Sequence, residues 1–377
     1  MRGSIRLGSI LGVPIALNLS WFFTFAFVTL ILALRVYPDA FKDSSAWVPW
    51  SMAVVSGLLF FASILTHEMA HSLIARAYGI PVKGITLFIF GGVSQITREA
   101  KRPLVEFIMA FAGPATSVLL AGLFLVLWWL TGANEDRPLT VMWEWLWLMN
   151  LGLGAFNLAP GFPMDGGRIL RSLLWGVTGN YRKATLWASR CGQLMAYALM
   201  LVGFASMVRL VPIFAPMSGI WLVVLGMFLE GAARQSWRQT EVLEALRLYR
   251  AADVLNPSCP TVDVRQTLGD VVETPAAQTQ PFCLFVTDQE RVVGVLGPAS
   301  LAKVPRERWP TTTAGEAMTP AARVPVAHPE EDAASVLQAM DAEEMPCLPV
   351  VQDGRLVGYV SREALLRLII RQQQLKI

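Results

Sequence analysis

Residues 67 to 71 read His67-Glu68-Met69-Ala70-His71, directly after a charge-free apolar run over residues 44–66. A helix brings residues i and i+4 to one face, so both imidazoles could bind one metal ion, while Glu68 could act as a base on a water molecule. The apolar run is long enough to cross a bilayer, which takes about 20 residues. Together the two features predict hydrolytic chemistry inside a membrane.

A helical pair of histidines can also be a polar cluster with a purely structural role. The chain contains only three histidines, so two of them at ligand spacing around a glutamate are difficult to attribute to composition. Ionisable groups within a membrane segment are costly to insert and usually functional. We therefore interpret His67 and His71 as ligands of one zinc ion per chain.

The composition is that of a membrane protein with a soluble appendage, since 54% of the residues are apolar and 16% are charged. We predict six transmembrane helices, the first of them retained and not cleaved as a signal peptide. The charge-free stretches that predict them are residues 7–34, 44–66, 107–134, 145–164, 191–208 and 210–229.

Basic residues near the spans predict the orientation, because cytoplasmic loops collect Lys and Arg. With the N-terminus inside, most of these residues fall on the cytoplasmic side, and His67 lies near the cytoplasmic end of the second span. We predict a multi-pass protein of the cell membrane, here the bacterial inner membrane, with both termini cytoplasmic. The net charge of +3 then reflects topology, and no basic stripe with interleaved aromatic residues indicates nucleic-acid binding.

A catalytic zinc site needs a third protein ligand. The candidate is Asp165, the only carboxylate in the segment that closes the fourth apolar stretch. Pro160 and Pro163 break the helix, and Gly166-Gly167 permit a tight turn before a new short helix, so the carboxylate can point back into the bundle. An aspartate before two glycines is also common in ordinary turns, so the position alone leaves both readings open.

The HEMAH motif in the second predicted span, followed by the pattern N-x-x-P-x-x-P-x-D-G-G-R over residues 157–168, resembles the site-2 protease family of intramembrane zinc metalloproteases. The resemblance covers roughly residues 1–230. It implies zinc ligation by His67, His71 and Asp165, a general base at Glu68, and a polar group near the oxyanion or substrate at Asn157. Asn157 could alternatively satisfy freed backbone groups at a helix end.

The same resemblance implies a substrate class. Its members cleave transmembrane proteins in regulated intramembrane proteolysis, so the expected partners are the lipid bilayer and a transmembrane substrate, such as an anti-sigma factor or another membrane-tethered regulator. A site at the cytoplasmic end of the second span implies cleavage near the cytoplasmic face. No PDZ-like insertion is visible between the predicted helices.

Two shorter segments also fit the family. Residues 85–96 are apolar, β-branched and too short to cross, which predicts a pair of short strands with a bend at Gly91-Gly92. Such a membrane-associated β-element either holds an unwound substrate along an edge strand or is a plain interfacial hairpin. Residues 111–115, with Gly113 and Pro114, are interpreted as a close helix-packing element.

After residue 229 the chain becomes polar, which predicts a linking helix over residues 231–252, and an internal repeat follows at an offset of about 64 residues. The repeats resemble a tandem cystathionine-β-synthase (CBS) pair, with copies at 253–312 and 313–377. Ser361 fits a nucleotide-binding position, but Ala364 replaces the ribose-binding aspartate, and the first copy has Gly297 and Ser300. Nucleotide binding is therefore doubtful, and homodimerisation or docking is the favoured role.

The four cysteines, Cys191, Cys259, Cys283 and Cys347, have no metal-ligand spacing, and three lie in the part expected in the reducing cytoplasm. We interpret them as inert packing residues. His328, between Ala327 and Pro329, is expected in a surface loop.

The predicted fold class is an α-helical polytopic membrane protein with a short β-element, joined to a soluble α/β CBS pair. Two functions from other classes compete with an intramembrane endopeptidase. A CBS-regulated ion transporter or channel is disfavoured because there is no inverted repeat and there are too few spans for the CBS-bearing chloride channels. An inactive zinc-dependent scaffold is disfavoured because Glu68 is present.

Overall fold

The computed structural model describes residues 4–38, 45, 47–89, 91–96, 99–133, 137–210, 216–274, 283–289, 291–343, 345–353 and 355–375. It divides the chain into two compact units, Met1–Arg238 and Gln239–Ile377. This division does not separate the two CBS copies. The predicted domain limits, namely 1–230, 231–252, 253–312 and 313–377, therefore remain a prediction.

Residues 4–18 form a β-hairpin, so the prediction of a first span over residues 7–34 is wrong in its first half. Gly8 and Gly12 have φ angles of +133° and +76°, which favour glycine and are incompatible with a helix. The Asn18 side chain then accepts a hydrogen bond from the Ser20 N–H and caps the first helix. The elements here are β1 (Ser4–Ile10), β2 (Val13–Asn18) and α1 (Leu19–Ile31), which continues into a π-helical turn, Leu32–Val36.

Two further strands, β3 (Val82–Phe88) and β4 (Gly91–Ile96), complete a sheet of order β1-β2-β3-β4, in which only β2 and β3 are parallel. The expected pair of strands is present, but β3 starts at Val82, and Gly91 and Gly92 belong to β4, so the prediction of a bend at these glycines is wrong. Strand β4 lies at an edge of the sheet. Val13, Ile15 and Ile85 are buried against Met69, which lies inside the HEMAH motif. The sheet therefore packs on the helix that carries this motif.

Six α-helices follow α1 among the described residues up to residue 246, and α3 packs against α2, α4 and α5. Their bounds are α2 (Trp47–Ala77), α3 (Pro103–Leu130), α4 (Pro138–Asn157), α5 (Asp165–Thr178), α6 (Tyr181–Met207) and α7 (Pro216–Leu246).

The limits of the predicted spans differ from those of the helices, and two of these differences have a clear physical reason. The span predicted at 145–164 is instead α4, which starts at Pro138, a residue suited to a first helical turn, and ends at Asn157, ahead of Pro160 and Pro163. Residues 216–229 of the predicted last span, 210–229, and most of the predicted linker helix form the single helix α7. Its backbone hydrogen bonds do not depend on side-chain polarity, so the change in composition at Glu230 does not end it.

Three of the described helical segments are long and apolar enough to cross a membrane, namely Leu19–Val36, Trp47–Ala77 and Pro103–Leu130. The predicted count of six is not confirmed by this criterion. Helices α4 and α6 are 20 and 27 residues long but interrupt their apolar character with Glu144, Arg182, Lys183 and Arg190.

The second compact unit contains two copies of a motif built from two antiparallel strands and flanking helices. The first copy has β5 (Thr261–Asp263), α8 (Leu268–Glu273), β6 (Leu284–Asp288), β7 (Arg291–Leu296) and the short α9 (Pro298–Leu301). A connecting segment with α10 (Ala314–Ala317) and β8 (Thr319–Pro320) leads to the second copy. That copy has α11 (Ala333–Glu343), β9 (Cys347–Gln352), β10 (Arg355–Ser361) and α12 (Arg362–Leu375). His328 lies exposed in a loop, as expected.

The interpretation of all four cysteines as inert packing residues is wrong for two of them. Cys283 and Cys347 form a disulfide with a Cα–Cα distance of 6.3 Å, which is within the range of protein disulfides. Both are fully buried, in a cluster with Phe285 and Tyr359. They occupy corresponding positions in the two copies, 64 residues apart, so their proximity follows from the packing of the repeats and not from local spacing.

Cys259 packs against the same cluster but remains a free thiol. Burial raises the pKa of the Cys259 thiol. Because the thiolate is the form that attacks disulfides, this raised pKa disfavours exchange between Cys259 and the bonded pair.

We expect two reactive thiols per denatured chain in the oxidised protein and four after full reduction, since Cys191 and Cys259 are the free cysteines. The disulfide closes a 64-residue separation, for which the loss of unfolded-chain entropy stabilises the oxidised form by about 4 kcal/mol. Thiol titration and thermal unfolding of the full chain measure both effects. Cys259→Ser should lower both counts by one without changing the unfolding temperature. Four reactive thiols after oxidation would contradict the pairing.

Candidate metal centre

The HEMAH residues lie within α2, which continues past the motif to Ala77. His67 and His71 are one helical turn apart and each is only 3% exposed. Their Nε2 atoms face each other at 3.2 Å. The helix therefore presents both imidazoles to one point in the interior, as the spacing predicts.

Asp165 is the first residue of α5, and the chain before it brings α5 close to the end of α4. A Cβ atom on Gly166 would lie 2.3 Å from the carbonyl oxygens of Leu158 and Ala159, and one on Gly167 would lie 2.4 Å from the Phe162 nitrogen. Only glycine permits this approach. The two glycines thus allow the α5 N-terminus to carry the carboxylate into the bundle.

The three predicted metal ligands meet at one point. Asp165 Oδ2 lies 3.1 Å from the Nε2 atoms of both His67 and His71. Zinc bonded at about 2.0 Å in a tetrahedron separates its ligand atoms by about 3.3 Å, close to the three distances observed here. The donor set and its spacing therefore fit zinc.

Helix α3 orients both histidines through their other ring nitrogens. His67 Nδ1 lies 2.8 Å from the Ser117 hydroxyl oxygen, and His71 Nδ1 lies 2.7 Å from the Met109 carbonyl oxygen. Because a carbonyl only accepts, Nδ1 of His71 carries the hydrogen and the neutral ring keeps its Nε2 lone pair. Such outer hydrogen bonds typically fix the tautomer of a metal-binding histidine.

Gly113 explains why α3 can come so close to the metal ligands. A Cβ atom at this position would lie 2.2 Å from His71 Nε2 and 2.6 Å from His67 Nε2. The interpretation of residues 111–115 as a packing element missed this role, since small residues in a membrane helix are also common at ordinary helix contacts. Ser117 and the Met109 carbonyl were missed as well, because neither belongs to a recognisable ligand pattern.

Glu68 is held by the edge strand β4. The Ser94 N–H and hydroxyl both donate to Glu68 Oε2, at 3.1 and 2.7 Å. A Cβ atom on Gly92 would lie 2.5 Å from Glu68 Cγ, so the strand packs directly on the carboxylate side chain. The carboxylate consequently has a fixed position beside the histidines.

Asn157, the last residue of α4, lines a cavity of about 340 Å³ together with His67 and Glu68. The rest of the lining is mainly apolar and aromatic, namely Thr24, Phe60, Phe61, Ile64, Ile89, Gly91, Gly92, Leu153 and Trp221. The Asn157 Nδ2 donates to the Leu153 carbonyl at 3.0 Å, a backbone interaction of the kind expected at a helix end. The structure thus brings His67, His71 and Asp165 to one point, and it places His67, Glu68 and Asn157 on the wall of one cavity.

A buried HExxH helix, a carboxylate as third donor and an adjoining apolar cavity in a helical bundle define the class of membrane-embedded zinc hydrolases. The sequence profile of peptidase family M50 matches residues 56–134 and 131–202, and the profile of the CBS domain matches residues 314–371.

The chain is 33% identical over 379 residues to the Synechocystis sp. protein sll0528, which its name assigns to the zinc metalloproteases, with 97% of this chain and 96% of that protein covered. It is 28% identical over 368 residues to zinc metalloprotease MJ0392 of Methanocaldococcus jannaschii, covering 97% and 96% of the two chains. The chain belongs to peptidase family M50, the site-2 protease family of zinc metalloproteases.

Among solved structures, the site-2 protease from Methanocaldococcus jannaschii is similar at 30% identity and a TM-score of 0.42, covering 62% of this chain and 95% of that chain.

Gly113→Ala should abolish stoichiometric zinc binding, because the added methyl group would occupy the space of the two Nε2 atoms. Gly122→Ala on the same helix is the matched control, since nothing lies within 4 Å of its added Cβ atom, and it should keep zinc. Elemental analysis of both purified full-length variants measures the difference. Full zinc occupancy in Gly113→Ala would place the metal elsewhere.

Proposed function

We propose that the protein is an intramembrane endopeptidase that cleaves transmembrane segments of other membrane proteins near the cytoplasmic face. The observation that carries the proposal is the cluster of His67, His71 and Asp165, in which His67 lines an apolar cavity together with the fixed carboxylate of Glu68. Membership of the family makes the protein a zinc metalloprotease. The membrane-protein substrate and the site of cleavage are our inference.

His67, His71 and Asp165 would hold one zinc ion per chain. When bound, zinc polarises the scissile carbonyl and lowers the pKa of water, which makes a neutral-pH nucleophile available. Glu68 would accept the proton of the attacking water and later donate it to the leaving amine. The two hydrogen bonds from Ser94 keep its Oε2 atom in place for both transfers.

Asn157 would bind the substrate or the developing oxyanion from the far side of the cavity. Its amide nitrogen is engaged by the Leu153 carbonyl, so it would have to share or exchange this hydrogen bond during the reaction. This makes Asn157 a secondary contributor, whereas Glu68 is essential.

A peptide bond inside a transmembrane helix is already hydrogen-bonded, so the substrate must be unwound before it reaches the site. The strand β4 offers a suitable partner, because its residues Gly91 and Gly92 line the cavity and the strand lies at the edge of its sheet. An extended segment added along this edge would gain main-chain hydrogen bonds in place of those of its helix.

The proposed setting is the inner membrane of a bacterium, crossed six times, with both termini in the cytoplasm. Its support is the excess of Lys and Arg in the loops assigned to the cytoplasm. A transmembrane regulator such as an anti-sigma factor, cleaved near this face, would release a cytoplasmic fragment. Reporter fusions at the loops measure the orientation, and a periplasmic C-terminus would contradict it.

The CBS pair would act as a dimerisation or docking module with at most weak affinity for nucleotides. Ala364 offers no carboxylate for a ribose, and the hydroxyl of Ser361 accepts a hydrogen bond from the Ala364 N–H at 3.2 Å. Calorimetry of the full chain with ATP and AMP tests this reading, and micromolar affinity for either nucleotide would contradict it.

Glu68→Gln should keep stoichiometric zinc and lose cleavage by roughly 10²- to 10⁴-fold, because the amide fills the same space but cannot accept the proton. Glu144→Gln, an exposed glutamate on α4, is the control and should cleave normally. The assay uses the purified full-length protein with a panel of single-span membrane proteins, with and without a zinc chelator. Cleavage that persists in Glu68→Gln, or in the presence of the chelator, would rule out the proposed function.

A further inference from the structure

The membrane unit contains a second buried charged site, which joins α3 to α5. The Arg171 Nε donates to Glu106 Oε1 at 2.7 Å, and Arg171 Nη2 donates to the same oxygen. Glu106 is 1% exposed and Arg171 is 8% exposed. Neither residue lines the cavity beside the metal ligands.

We propose that Glu106 and Arg171 are positioning residues, whose ion pair fixes α5 so that Asp165 meets the two histidines. This inference rests on the proposed zinc site. The buried salt bridge holds Asp165 in position before the metal binds, when no metal–ligand bond is yet present to do so.

The location of the pair on the two helices supports this role. Arg171 lies six residues after Asp165 on α5, about 9 Å further along the helix axis. Glu106 lies on α3, one turn before Met109, whose carbonyl oxygen orients His71. The same helix therefore supports both histidines directly and holds the helix that carries the third ligand.

Arg171 also contacts the chain on either side of α5. The central carbon of its guanidinium lies 5.0 Å from the centroid of the Phe162 ring and 4.7 Å from that of Tyr181. Phe162 belongs to the segment just before Asp165, and Tyr181 is the first residue of α6. Planar guanidinium groups favour such stacking, which a lysine cannot reproduce. One side chain thus links α3, α6 and the segment before Asp165 to α5.

Stability alone does not account for a charged pair at this place. The attraction within a buried ion pair roughly offsets the loss of hydration, and apolar replacements of similar size are often equally stable. Glu106 Oε2 moreover has no hydrogen-bond partner among the described residues, so the pair is not fully satisfied. In some proteins a buried ion pair instead specifies the register between two elements, and we assign this role to Glu106 and Arg171. A ligand set that must be correct to within about 0.5 Å requires such a constraint.

The test compares three forms of the full-length protein in detergent, namely the natural chain, the double variant Glu106→Leu/Arg171→Met, and Arg171→Lys. A fourth form, Glu230→Leu/Arg234→Met, removes an exposed ion pair on α7 and serves as the control. The readouts are the unfolding temperature, zinc affinity by competition with a chelator, and the visible absorption spectrum with Co²⁺ as the probe. If the pair positions Asp165, its loss changes the zinc affinity and the Co²⁺ spectrum while the protein remains folded.

We expect the double variant to stay folded while zinc affinity falls by about 10- to 100-fold, the effect typical of losing outer support of a metal ligand. Its Co²⁺ spectrum should lose the intensity of a tetrahedral site. Arg171→Lys keeps the charge but loses the planar group, so it should show the same change to a smaller extent. The control should match the natural chain in all readouts.

Unchanged zinc affinity in a folded double variant would overturn the positioning role and leave the proposed function intact. Loss of folding in both the double variant and Arg171→Lys would also overturn it, since the pair would then be structural. A natural chain that binds no zinc would instead contradict the proposed function itself, and this inference with it.

Discussion

The membrane unit is organised by one electrostatic constraint, the proximity of three electron-rich atoms inside an apolar bundle. Two imidazole nitrogens and a carboxylate oxygen lie 3.1 to 3.2 Å apart, and without a shared cation or proton they repel one another. The hydrogen bond to the Met109 carbonyl leaves no hydrogen for the facing nitrogen of His71 in its neutral form. The fold thus creates a cation site, and the rest of the membrane unit holds its donors in place.

Helix α3 positions most of these donor groups, although it contributes no ligand itself. It backs the histidines through Ser117 and the Met109 carbonyl, leaves room for them at Gly113, and binds α5 through Glu106. The edge strand β4 does the same for Glu68. In an apolar environment each buried polar group needs a hydrogen-bond partner in place of water. The same hydrogen bonds can therefore also fix the positions of the histidines and of Glu68.

The sequence predicts the three converging side chains better than it predicts the elements packed around them. The convergence of His67, His71 and Asp165 was predictable because helical spacing and a family motif mark them. The N-terminal hairpin was not, because an apolar run of strands next to a helix has the same composition as one long span. The Cys283–Cys347 pair and the Ser94–Glu68 contact depend on tertiary packing between distant segments, for which the local pattern carries no signal.

X-ray absorption at the zinc edge of the purified full-length protein can identify the ligands of the metal, because it observes the ligand atoms themselves. We expect four nitrogen or oxygen neighbours at about 2.0–2.1 Å, with outer-shell scattering from two imidazole rings. A sulfur neighbour at about 2.3 Å, a single imidazole or six-fold coordination would contradict this expectation.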